Sequence, residues 1–127
     1  MQGKIALSNA EWKIMSLLWK RSPQTITEMV KTLNDEKEWT KHTLISQLKR
    51  MEVKGVVRYE NNGRAKNYYP IIEQEEAIAQ ETKQFLDRVF DGSIEMMVTS
   101  LVKQQKLSED KIIELYRILT DAEENTK

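Results

Sequence analysis

The 127-residue chain contains no cysteine. A disulfide framework, a thiolate metal site and a thiol nucleophile are thereby excluded together. Histidine occurs once, as His42. Metal sites need several converging ligands, and no His-x-x-x-His spacing or cysteine partner exists, so His42 reads as an exposed or nucleic-acid-facing group. Long apolar runs are missing as well: none approaches the roughly 18 to 20 residues that a membrane span requires. The opening MQGKIALSNAEW carries no signal-peptide core. The expectation is a cytoplasmic protein without membrane insertion. No phosphate-binding glycine loop, nucleophile elbow or paired-carboxylate pocket can be picked out, and Glu75-Glu76 and Glu123-Glu124 read as solvated helix surface. An enzyme is not expected, and nothing calls for a cofactor.

What is present is an ordinary globular balance, 39% hydrophobic against 31% charged, so the chain should fold as one compact unit with a satellite. The net charge of zero hides a division. Residues 1–72 hold 13 Lys/Arg against 7 Asp/Glu, or +6, and residues 73–127 hold 7 against 13, or −6. A basic segment that meets a polyanion and an acidic one that stays away from it would have this distribution; chance and solvated surface are the plain alternative. The cut after Ile72 marks the expected domain boundary.

Ser8 and Glu11 have the S-x-x-E spacing of a capping box, which predicts a helix start. Ala10, Ile14, Leu17 and Leu18 give it one apolar face, and Trp12, Met15 and Trp19 a second, until Arg21-Ser22-Pro23 ends it. Thr25 and Glu28 repeat the box ahead of a short amphipathic helix with Ile26, Met29, Val30 and Leu33. A third helix follows Thr40, with Trp39 and Leu44 as a hydrophobic staple, and runs to Lys54 before Gly55. Val56–Glu60 and Lys66–Tyr69 read as two strands around Asn61-Asn62-Gly63-Arg64, where Asn-Gly is a strong hairpin signal. Three helices and a hairpin describe a winged helix-turn-helix. The fold class is therefore mainly α with a small β-hairpin wing.

Beyond it the pattern is helical in three pieces. Ile78, Thr82, Phe85 and Val89 mark the first, before Asp91-Gly92 breaks it. Ser93 can cap the second, with Ile94, Met97, Val98 and Leu101 on one face, and Ser108 the third, with Ile112, Leu115, Tyr116 and Leu119. These stripes exceed what a small lone bundle can bury, so they are the candidate interface of a homodimer.

The third helix carries the candidate chemistry. Its outward face holds His42, Thr43, Ser46, Lys49 and Arg50, with Lys41 at its start, and a helix fits the B-DNA major groove. Lys41, Lys49 and Arg50 would neutralise phosphates, or Arg50 a guanine edge, while His42, Thr43 and Ser46 could make close contacts. Arg64 at the wing tip, with Lys66 behind it, would touch backbone or minor groove. Double-stranded DNA is the expected partner. A solvated helix face is the bland alternative for each residue alone, and a protein-interaction module with an acidic partner the alternative for the set.

With these residues in view, the chain resembles the penicillinase-repressor family of bacterial transcriptional regulators, the BlaI/MecI/CopY type. The resemblance is carried by Leu7-Ser8-Asn9-Ala10-Glu11-Trp12 with Met15 and Trp19, Trp39-Thr40 with Thr43 and Arg50, Lys54-Gly55, Tyr68-Tyr69, and later Leu107-Ser108, Glu114-Leu115 and Ile118-Leu119. It covers nearly the whole chain. It implies a homodimer whose winged helices read the halves of an inverted-repeat operator and repress transcription. In the penicillin-resistance branch it further implies a membrane sensor-protease system and cleavage within the second C-terminal helix. Where that branch has Asn-Phe at the cleaved bond, this chain has Ser100-Leu101. Ile45 also departs, standing where related repressors often have Arg or Gln. The copper branch uses a cysteine-rich tail that this chain does not have. The implied target genes are those of β-lactam resistance, with another regulon, copper homeostasis or other stress, as the alternative.

Overall fold

The computed structural model describes residues 6–34 and 39–125. Its elements follow the order α1 (Asn9–Lys20), α2 (Ile26–Leu33), α3 (Lys41–Lys54), β1 (Val57–Asn62), β2 (Ala65–Pro70), α4 (Gln74–Phe90), α5 (Ile94–Lys103) and α6 (Glu109–Asn125). Both capping boxes form. At α1 the Ser8 hydroxyl accepts from the Glu11 amide at 3.2 Å and the Glu11 carboxylate accepts from the Ser8 amide at 2.8 Å. Thr25 and Glu28 do the same for α2, at 3.2 and 2.9 Å. Each pair satisfies two backbone donors that a helix start would otherwise leave open. Thr40 caps α3, and Gly55 ends it at φ +79°, a left-handed conformation that a glycine adopts without a Cβ penalty.

The first three helices bury one face each against the root of the hairpin. Ile14, Met15 and Leu18 of α1, Met29 and Leu33 of α2, and Leu44, Leu48 and Met51 of α3 meet Val56, Val57 and Tyr68 in a single core. Trp39 joins this core, as the staple position requires. Fully burying an aliphatic side chain of this size stabilises by about 1.5 to 3 kcal/mol, so this cluster holds α3 at a fixed angle to the hairpin.

The hairpin is antiparallel, with Val57 opposite Pro70 and Asn62 opposite Ala65. The two residues left at its tip are Gly63 and Arg64, because Asn61 and Asn62, expected in the turn with them, continue the first strand. Glycine at the first central position with φ +67° is the arrangement of a type II′ turn. The shift places Arg64 at the end of the wing. Gln24 adds an isolated bridge alongside Tyr68, with main-chain bonds of 3.2 and 2.9 Å. Its buried side chain donates to the carbonyls of Leu17 and Arg21 at 2.8 and 2.7 Å. One glutamine thus ties the end of α1 to the base of the wing.

The chain divides into two compact units, Met1–Thr82 and Lys83–Lys127, with the division inside α4. In the first unit α4 supplies Ala77 to the core. In the second, Asp91 and Gly92 adopt positive φ and end α4, Ser93 caps α5 and Ser108 caps α6. Helices α5 and α6 contain no buried residue.

Candidate nucleic-acid interface

A groove in the first unit is lined by α3, by the start of α2 and by the far strand of the wing. Its cations are Lys41 and Lys49 from α3 and Arg64 and Lys66 from the wing. Capping at Thr40 puts Lys41 in the first turn, and the four-residue spacing of a helix carries the same face to Ile45 and Lys49. Thr25, which caps α2, and Ile26 and Thr27 in its first turn also line it.

Some cations of the first unit are held in ion pairs, whereas the groove lysines and Arg64, like the exposed Lys20 and Lys31 elsewhere, have none among the described residues. Arg21 pairs with Glu28 at 3.1 Å, Lys54 with Glu11 at 2.5 Å and Arg58 with Glu60 at 3.6 Å. Among the described residues, Lys41, Lys49, Arg50 and Arg64 have no such partner. Lys66 is engaged differently, its ammonium lying 4.3 Å from the centre of the Tyr59 ring. Unpaired exposed cations along one concavity leave a positive field that an anion of matching shape would neutralise.

The groove does not gather every residue expected from the sequence. His42, Ser46 and Arg50 are exposed on α3 but lie on the adjoining arc of the helix, outside the groove lining. Thr43 is half-buried, and its hydroxyl lies 2.9 Å from that of Thr40, so it helps hold the N-terminal cap. That arc is also less polar than expected: Val53, 90% exposed, shares it with His42 and Arg50. Glu52 was likewise not expected in the groove, where it stands as an acid beside the Lys49 position. Spacing could have found it, since Glu52 follows Lys49 by three residues. Burial foremost, then the fields of Glu52 and Tyr59, pushes the Tyr68 phenol above its ordinary range.

In the second unit the expected interface residues Ile94, Val98, Leu101, Ile112, Leu115, Tyr116 and Leu119 are all exposed, and Met97 is half-buried. Ser100 and Leu101 lie inside α5, in its second half. Among the described residues no group of three or more His, Cys, Asp or Glu is placed to hold a metal ion, and no helix is long and apolar enough to cross a membrane.

Comparison with known proteins bears on both units. The sequence profile described as penicillinase repressor matches residues 7–121. The chain is 31% identical over 121 residues to the penicillinase repressor of Bacillus licheniformis, covering 95% of this chain and 94% of that one. It is 26% identical over 113 residues to the methicillin resistance regulatory protein MecI of Staphylococcus aureus (strain N315), covering 89% and 92%. Among solved structures it is similar to the DNA-binding domain of the repressor BlaI, with a TM-score of 0.52 and 29% identity over 60% of this chain and 93% of that one. The first unit is therefore a winged helix-turn-helix, and the chain as a whole belongs to the penicillinase repressor family.

Proposed function

We propose that the chain is a dimeric transcriptional repressor that binds an inverted-repeat operator in double-stranded DNA, with β-lactam-resistance genes as its targets. The observation that carries this reading is the groove flanked by unpaired Lys41, Lys49 and Arg64 in a winged helix-turn-helix of this family. Helix α3 enters the major groove. Lys41, Lys49, Arg50, Arg64 and Lys66 meet phosphates or a guanine edge, and His42, Thr43 and Ser46 complete the contact from the same helix. The segment 1–72 supplies the reading head.

The segment 73–127 supplies the joint between two copies. Its support is the exposure of Ile112, Leu115, Tyr116 and Leu119 along α6 and of Ile94, Val98 and Leu101 along α5, a surface too apolar to face water in an isolated chain. Release follows proteolysis at Ser100-Leu101, under a membrane sensor-protease system. Because that bond lies within α5, the helix must open locally before a protease can take it. Induction is then slow and irreversible, and new synthesis restores repression.

The test is selection of duplexes from a randomised pool by the full chain. Inverted repeats should be enriched, with half-site centres one helical turn of about 10 to 10.5 base pairs apart or a multiple of it. A pool that yields no enriched sequence contradicts the reading.

A further inference from the structure

Ile45 is the only apolar side chain that α3 contributes to the lining of the basic groove among the described residues. It stands one helical turn after Lys41 and one before Lys49, on the same face. Its neighbours can each give a phosphate oxygen a charged hydrogen bond, and Ile45 can give it nothing. Facing phosphate or a polar base edge, it would strip water from an acceptor without replacing the lost bond, which is unfavourable. The major groove presents one apolar group, the C5-methyl of thymine. Resting on the DNA-binding reading above, we propose that Ile45 is a specificity-determining residue that packs against a thymine methyl, held at the base edges by Lys41 and Lys49 on the flanking backbone.

The inference assigns part of the sequence preference to a contact without a hydrogen bond. It also separates two jobs along one stripe of α3. The lysines contribute affinity on any sequence, and Ile45 distinguishes thymine from bases that have no methyl in that place.

The experiment uses a duplex enriched by the full chain from a randomised pool, with each thymine replaced in turn by uracil. Uracil pairs identically and lacks only the methyl. The wild-type chain should lose about threefold to fivefold in affinity at one or a few positions, the effect of taking one methyl out of an apolar contact. Ile45→Ala should bind all the uracil duplexes as well as it binds the parent, while Ile45→Val should keep the sensitivity. A wild-type chain indifferent to every replacement overturns the proposal. So does an Ile45→Ala variant that keeps the same sensitive positions. If no duplex is enriched, the DNA-binding reading itself has failed. If a duplex is bound with steep salt dependence and no position responds to the methyl, only the role of Ile45 is lost. If Ile45→Ala melts early, Ile45→Gln takes its place: it should lose the sensitivity at the same positions, and keeping it overturns the proposal.

Discussion

Glu11 does two jobs with one carboxylate. It closes the capping box of α1 and receives Lys54 from the last turn of α3, and Lys54 also donates to the Ala6 carbonyl at 2.7 Å. Burial by itself would raise the Glu11 carboxyl, but the hydrogen bonds from Lys54 and from the Ser8 backbone outweigh it, and its pKa falls below the ordinary 4.5. A carboxylate lowered in the folded state adds stability that is fully present above its unfolded pKa and is lost as the pH falls through the folded one. Acid should therefore loosen the first unit below about pH 4.5, and Glu11→Gln should flatten that limb of the pH profile. Lys54→Ala leaves the buried carboxylate without its cation. With Lys54 itself 38% exposed, the expected loss is about 1 to 2 kcal/mol, read by urea unfolding followed through Trp12, Trp19 and Trp39. An unchanged midpoint would remove this pair from the account. Arg64→Ala in the groove and Arg50→Ala on the adjoining arc of α3 should each weaken operator binding without moving that midpoint, because both side chains are exposed and unpaired among the described residues. The loss should be about 1 to 3 kcal/mol for a base-reading contact and less for a phosphate alone. Equal affinity for both variants in a mobility-shift titration would discard this face.

Among the elements, α5 and α6 are the ones whose sequence and solvent exposure conflict most. Their apolar stripes recur at helical spacing, yet neither helix has a buried residue in the single chain. In the proposed dimer a second copy would cover these stripes, and truncating a leucine buried there would cost roughly 2 to 5 kcal/mol. Leu115→Ala should thus shift sedimentation toward monomer at concentrations where the wild-type chain is dimeric. A wild-type chain that is monomeric at micromolar concentration would contradict the arrangement. Helix limits were legible in the sequence because their causes are local: Ser8, Thr25, Thr40 and Gly55 act within three or four residues of themselves. The hairpin was legible as a hairpin, but its register was not. Asn62 pairs with Ala65 because the strands lengthen toward the tip, and Gly63 serves as the first residue of the turn. The Glu11–Lys54 pair and the bridge of Gln24 to Tyr68 escaped the sequence because they join residues 43 and 44 positions apart, where spacing says nothing. Glu52 and Val53 could be placed on α3 in advance. Only the packing of the wing decided which of its flanks becomes groove.

For the whole molecule, the +6 of residues 1–72 and the −6 of residues 73–127 would have a use under the proposed function: the half proposed to meet DNA is basic, and the half proposed to join copies would be repelled by it. Joining two reading heads gives the second a high effective concentration, which can raise overall affinity by about 10² to 10⁴ without a new contact. Residues 1–100 alone should bind a full palindrome more weakly by about that factor. Equal binding would mean that cleavage at Ser100-Leu101 cannot be the means of release. Beneath all of this lies the claim that the cations lining the groove between α3 and the wing neutralise DNA phosphates. Its most direct measurement is the affinity of the full chain for an enriched duplex across a salt series, with Arg64→Ala beside it. Each phosphate neutralised adds about −0.9 to the slope of log affinity against log salt, so the wild-type slope should be steep and the Arg64→Ala slope shallower by about 1 per protomer. A wild-type slope near zero, or an identical slope for the two proteins, would contradict the account.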